Sequence, residues 1–182
     1  MHWKVLESEY IFNEPPWLTV RKEKCELPGG RLIPAYYTVE YPSWATCFAV
    51  TKDRKVVLVQ QYRHGLGVIS IETPGGVVDE GETPEAAIRR ELKEETGYAF
   101  ETFEYLGKIS ANPATTNNYM HMFLATGGEK ISEPQLDATE DVEVLVFTIE
   151  EVKELMKEHR IVQSLHLSCM HYALERLGAL TY

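Results

Sequence analysis

Three scarcities in this 182-residue chain exclude whole classes of function. Basic residues are the first: 18 Lys and Arg stand against 28 Asp and Glu, for a formal net charge of -10. Binding to nucleic acid or to an anionic membrane needs a basic face, so neither is expected, and an anionic small molecule would need a bridging cation. Cysteine is the second. Cys25, Cys47 and Cys169 are far apart and form no CxxC, which argues against a disulfide framework or a thiolate zinc site and for a reducing cytoplasm. Long apolar runs are the third. Stretches such as VVLV are too short to span a bilayer, and the opening MHWKVLESEYIF lacks the basic start and apolar run of a signal peptide, so a soluble protein is expected. The histidines (His2, His64, His121, His159, His166, His171) show no HxxxH or HExxH spacing and are read as surface or core-edge residues.

With 44% hydrophobic residues, the chain is long enough for one compact domain with an extra element at one end. From Trp17 to Phe48 it is rich in Thr, Val and Tyr, and WLTVRKEKCEL and LIPAYYTVEY flank the turn signal Pro28-Gly29-Gly30, which predicts an N-terminal β-hairpin. The nearly unbroken apolar runs ATCFAVT and KVVLVQQY predict central strands buried on both faces. GVISIET reads as a strand ending at Pro74-Gly75-Gly76; FEYLGKIS, YMHMFLATG and VEVLVFT read as later strands, with the polar GEKISEPQLDATED as a connecting loop. Two helices close the chain. The first runs from about Glu150 to His159, and the second starts at Ser164 as N-cap with Leu167, Met170, Leu174 and Leu177 as its buried stripe. There is no internal repeat, low-complexity segment or long linker.

The segment GGVVDEGETPEAAIRRELKEETGY carries the chemistry. Thr83 suits an N-cap, Pro84 the first helical position and Gly97 a left-handed C-terminal residue, so a helix over Pro84 to Thr96 is predicted. On it Glu91, Glu94 and Glu95 fall within one narrow arc, and each like-charged pair should destabilise the helix by roughly 0.2 to 0.5 kcal/mol. A solvated face with ion pairs would explain Arg90 beside Glu94 but leaves Glu91 and Glu95 unopposed. A hard divalent cation with oxygen ligands explains all of them.

Gly76, Glu82 and then Arg90-Glu91-Leu92-Lys93-Glu94-Glu95-Thr96-Gly97-Tyr98 resemble the complete box of the Nudix family, Gx5Ex7REUxEExGU with U bulky and apolar. Seven required residues would coincide by chance at roughly 10⁻⁸ per starting position. Around the box, VVLVQQYRHG, IETPGG and Pro113, sixteen residues after Gly97, resemble the ADP-ribose pyrophosphatase branch of that family. The fold this implies is α/β: a Nudix-like α/β/α sandwich with a mixed central sheet, formed by residues 45–182, and an N-terminal β-hairpin element, residues 1–44, exchanged in a homodimer.

The resemblance also implies a reaction: Mg²⁺-dependent hydrolysis of a nucleoside diphosphate sugar, with Mn²⁺ as a substitute ion. ADP-ribose, giving AMP and ribose 5-phosphate, is the leading substrate. It assigns Glu91 and Glu95 as principal metal ligands, Glu94 as an auxiliary one and the Gly75 carbonyl as a backbone ligand, with Arg90 orienting the glutamates. The branch's general base lies on a downstream loop, where ATEDVEV offers Glu140, with Asp141 and Glu143 as competitors. Arg63 resembles a diphosphate-contacting arginine, a role suited to the guanidinium fork. Trp17 and Trp44 are candidates for base stacking or for core packing. The branch usually has glycine after the proline and a glutamate five residues beyond it, where this chain has Ala114 and Asn118; Asn118 can hydrogen-bond a sugar hydroxyl but supplies no charge, so broad sugar specificity is expected. Thr73 stands where the branch often has leucine. Coenzyme A, a dinucleoside polyphosphate or a capped RNA end as substrate, or a sensor that binds nucleotide sugars without cleaving them, are the alternatives.

Overall fold

Both faces of the central strands are covered, and this is why their sequences lack alternation. The computed structural model describes residues 2–180 and separates into two compact units, Met1–Ser43 with Ser110–Tyr119, and Trp44–Ile109 with Met120–Tyr182.

In the first unit, β1 (Lys4–Glu14), β2 (Leu18–Glu26) and β3 (Leu32–Glu40) form an antiparallel sheet in that order. The expected hairpin is β2 and β3. β1 was not anticipated as a strand, and the reason is its exposure along the whole length, since no buried face imposes a period of two. Cross-strand ion pairs join Lys22 to Glu9 and Lys24 to Glu7. Only Thr19 and Cys25 are buried on these three strands. The 110–119 segment runs beside β3, where the Val39 amide donates to the Thr115 carbonyl at 2.7 Å.

The second unit contains β4 (Trp44–Thr51), β5 (Lys55–Arg63), β6 (Val68–Glu72), β7 (Gly75–Val77), α1 (Pro84–Thr96), β8 (Tyr98–Ala99), β9 (Thr102–Ile109), β10 (Met120–Lys130), β11 (Val142–Thr148), α2 (Ile149–Lys157) and α3 (Ser164–Arg176). Its mixed sheet runs β11-β5-β4-β10-β8; β6 pairs with β5, β7 with β4 and β9 with β10. The β4–β10 pair is parallel and the others are antiparallel. Successive side chains on a strand face opposite ways, and here each way leads to a separate apolar cluster. Ala45, Cys47 and Ala49 of β4, Val57 of β5 and Phe123 of β10 pack with Ala87, Ile88 and Leu92 of α1. Phe48, Val50, Val56, Leu58, Met122 and Leu124 pack instead with Val152 of α2 and with Leu165, Cys169, Met170 and Leu174 of α3. The result is the α/β/α sandwich that the sequence led us to expect.

The C-terminal helices differ in detail. α2 begins at Ile149 because Thr148 and Glu151 form a reciprocal capping box, and it ends at Lys157. α3 is capped by Gln163, whose side chain accepts from the Leu165 amide, and not by Ser164. Its buried stripe is Leu165, Cys169, Met170, Ala173 and Leu174, while Leu167 is half-buried and Leu177 is 37% exposed. Cys169 and Ala173 put small side chains into the cluster to which the strands contribute Phe48, Met122 and Leu124. No described helix is long and apolar enough to cross a membrane.

Candidate active site

The acidic cluster is held by both ends of α1. Thr83 Oγ accepts from the Ala86 amide at 3.2 Å, Pro84 occupies the first turn, and Gly97 adopts φ 72° with its amide donating to Lys93. The carbonyls a helix leaves unpaired at its C-terminus are taken up by the loop after β10: Gln135 N–H donates to Glu94 O at 2.7 Å, and Ile131 and Ser132 donate to Gly97 O. The loop that carries Glu140 is thereby tied to the helix that carries the glutamates.

Glu95 is 5% exposed and accepts from the Gly75 amide at 2.9 Å. Glu91 lies over Gly76, where a Cβ would collide with its carboxylate, so glycine at 76 is a space requirement. Arg90 ties the rest together. Its three nitrogens reach Glu82 at 3.2 and 3.0 Å, Glu91 at 2.8 Å, Glu94 at 3.1 Å and the Val77 carbonyl at 3.1 Å. Glu91 is therefore not unopposed, contrary to the helical-wheel expectation: the guanidinium of the adjacent Arg90 reaches its carboxylate, which periodicity alone does not reveal. Glu82, which had no assigned role, holds the far side of the guanidinium, and that contact lowers its own pKa.

The residues between 41 and 166 match the NUDIX domain, and residues 3–39 match the nucleoside diphosphate sugar hydrolase N-terminal domain. The chain belongs to the Nudix hydrolase family. It is 31% identical over 170 residues to the methanol dehydrogenase activator of Bacillus methanolicus, covering 93% of this chain and 91% of that one. It is also 31% identical over 159 residues to the ADP-ribose pyrophosphatase of Bacillus subtilis (strain 168), covering 87% and 85%. A crystal structure of an ADP compounds hydrolase superposes with a TM-score of 0.85 at 20% identity, covering 99% of this chain and 98% of that one, and agrees in fold.

A divalent ion suits the donor set of the Nudix box. Burial first, and then the charges of Glu94 and Glu140, raise the Glu91 pKa against the pull of Arg90. Among the described residues, no group of three His, Cys, Asp or Glu forms a ready-made metal cage.

The remaining candidates are placed as follows. Glu140 is exposed in a tight turn, its carboxylate accepting from the Asp137 amide at 2.9 Å, and its charge raises the pKa of both Glu91 and Glu95. Asp141 is exposed, and Glu143 on β11 accepts from Gln60 at 3.1 Å. Arg63 is half-exposed at the end of β5 and pairs with Glu72. Trp44 opens β4 and packs on the α3-side cluster. Asn118 is 4% exposed in the first unit, where its amide donates to the Pro42 carbonyl at 3.0 Å. Trp17 is 64% exposed.

Sequence reasoning missed Glu72, a wholly buried carboxylate, and His166, which is 4% exposed and not at the core edge. Burial would push the Glu72 carboxyl up, but Arg63 and His166 hold it well below the usual carboxylate range. An acid closing an otherwise apolar strand was the available signal.

Burial, helped by the Glu91 and Glu140 charges, pushes Glu95 from 4.5 up to about 8, against the Gly75 amide and Arg63. Because its pKa is higher folded than unfolded, its contribution to stability is fully present below 4.5, erodes as pH rises and is lost above about 8. Calorimetry with chelator should show the melting temperature falling across that window more steeply than in Glu95→Gln. Adding Mg²⁺ at the alkaline end should restore the wild type and leave the variant unchanged; parallel slopes for the two proteins would refute this.

Proposed function

We propose that this protein hydrolyses the diphosphate of nucleoside diphosphate sugars with Mg²⁺ as cofactor, Mn²⁺ substituting, and that ADP-ribose, split to AMP and ribose 5-phosphate, is its leading substrate among several. The observation that carries this reading is the convergence of Glu91, Glu94, Glu95 and Glu140 around a buried helix end that also carries the complete Nudix box. The Bacillus subtilis relative named as an ADP-ribose pyrophosphatase, aligned over most of both chains, supports the choice of substrate.

In this reading Glu91, Glu95, Glu94 and the Gly75 carbonyl hold the cation. Bound there, it would neutralise diphosphate oxygens and acidify water. Arg90 holds Glu91 and Glu94, and the Gly75 amide holds Glu95, so the ligands need little reorganisation when substrate arrives. Glu140 takes the proton from the attacking water: its charge acts on both Glu91 and Glu95, and that of Glu143 is not among the causes acting on either. Arg63 presents a guanidinium to the diphosphate.

The three-stranded sheet of the first unit exposes Val5, Tyr10, Ile11, Phe12 and Leu18. A sheet this small with so few buried residues needs a covering surface, and a second copy of the chain, forming a homodimer, supplies one. Three unpaired, buried cysteines suit a reducing cytoplasm.

Incubation with Mg²⁺ and ADP-ribose should yield AMP and ribose 5-phosphate, and a panel of nucleoside diphosphate sugars scored by kcat/KM should rank ADP-ribose first; binding without cleavage would mean a sensor. Glu140→Gln should lower kcat by about 10² to 10⁴-fold with little change in Mg²⁺ affinity. Near-normal turnover in that variant, with a dead Glu143→Gln, would move the base to Glu143. Sedimentation equilibrium should give twice the chain mass, falling to a monomer in Phe12→Asp, and a monomeric wild type would exclude the homodimer.

A further inference from the structure

Glu72 closes β6 three residues before Gly75 and has no exposed surface. A carboxylate so placed is tolerated only when its oxygens are matched by donors. Arg63 supplies two of them, with Nε 2.9 Å from Oε1 and Nη2 on Oε2. The third comes from the other end of the sequence: His166 Nε2, on the first turn of α3, lies 3.2 Å from Oε2. A carboxylate can only accept, so Nε2 must donate. The opposite edge of the ring is occupied as well. His166 Nδ1 lies 2.7 Å from the Thr73 hydroxyl, which is 2.6 Å from the Thr46 hydroxyl. All five residues belong to the second unit, and four of them are buried.

We propose that His166 is a positioning residue of the hydrolytic site: by bonding Glu72 on one edge and Thr73 on the other, it locks the carboxylate that in turn fixes the Arg63 guanidinium for the diphosphate. The inference rests on the functional reading above. Its physical basis is the conformational freedom of arginine. A half-exposed arginine would lose rotamer freedom each time it ordered around an anion, whereas one already held by a fork leaves that cost out of binding. Glu72 engages Nε and Nη2, so Nη1 remains for a phosphate oxygen. Glu72 can hold Arg63 in one orientation only if it is itself unable to turn. Its backbone is set by pairing with Val59 across β5 and β6, and the His166 bond to Oε2 sets the plane of its carboxylate. Thr73 orients the ring in its turn, and this gives a reason for a hydroxyl where an aliphatic side chain would pack but could not hydrogen-bond Nδ1.

A histidine that merely satisfied its core neighbours would give the same contacts, so the test must read Arg63. In His166→Leu the KM for ADP-ribose should rise about tenfold with kcat within about threefold, because substrate binding and not the chemical step is affected. In an Arg63→Ala background the same change should add less than about twofold, since the two act as one unit. His166→Gln, which keeps an N–H able to reach Glu72, should return KM to within about threefold of wild type. A readout free of activity is the Arg63 Nε–H resonance: its hydrogen exchange should accelerate at least about tenfold in His166→Leu. Should His166→Leu not fold, Thr73→Val is expected to shift both KM and exchange in the same direction. A folded His166→Leu or Thr73→Val with unchanged KM and unchanged Arg63 exchange overturns the inference, as does an effect that is fully additive with Arg63→Ala. If the wild type cleaves no nucleoside diphosphate sugar, the functional reading has failed, and the Arg63 resonance alone decides whether His166 holds the guanidinium.

Discussion

The site depends on the burial of negative charge at one end of α1. Glu95 is nearly sealed from solvent with a single backbone amide as partner, and Glu91 and Glu140 bring further negative charge into its surroundings. Carboxylates in such surroundings resist ionisation, and the folded protein relieves this in part with Arg90, which bonds Glu91 and Glu94, and with the charge of Arg63, which acts on Glu95. Arg90 cannot satisfy all of them. Its three nitrogens are already shared among Glu82, Glu91, Glu94 and a backbone carbonyl, and none reaches Glu95. An arrangement that leaves negative charge only partly compensated is suited to a divalent ion.

The sandwich makes this arrangement affordable. Of the two apolar clusters, one on each face of the sheet, one anchors α1 by Ala87, Ile88 and Leu92 and leaves its acidic side near Gly75 and Gly76 of β7. Hydrophobic burial along the helix offsets the repulsion among its glutamates, which the isolated helix could not sustain. The loop after β10 is drawn in by the carbonyls at the helix end, so the helix that carries Glu91, Glu94 and Glu95 and the loop that carries Glu140 are joined by backbone hydrogen bonds.

On the α3 side of the sheet, a polar path interrupts the apolar cluster. Thr46, Thr73, His166 and Glu72 are buried together and end at Arg63, each hydrogen-bonded to the next. Buried polar groups are tolerated when each has a partner, and a satisfied set of this kind restricts the geometry more tightly than apolar packing does. The helix farthest along the chain thereby acquires a part in the site without contributing a residue to its surface.

How much of this could be read without the fold follows from the range of the interactions. The limits of α1, its caps, the spacing of Glu91, Glu94 and Glu95, and the doubly buried character of β4 and β5 are set by contacts a few residues long or by burial so complete that composition betrays it, and all were legible in the sequence. β1 was not, because a strand exposed along its length carries no period. The reach of Arg90 to Glu82 and Glu91 was hidden by the conformation of one side chain, and the pairing of His166 with Glu72 by the 94 residues that separate them. The sequence by itself determined the limits and caps of the acidic helix, since helix periodicity and capping are local physics, and its motif carried the family resemblance that implied the layer architecture. Only the tertiary structure decided which charges are buried, which cation meets which carboxylate and which loop acid approaches the cluster, because electrostatics and hydrogen bonding depend on distances through space that chain order does not encode.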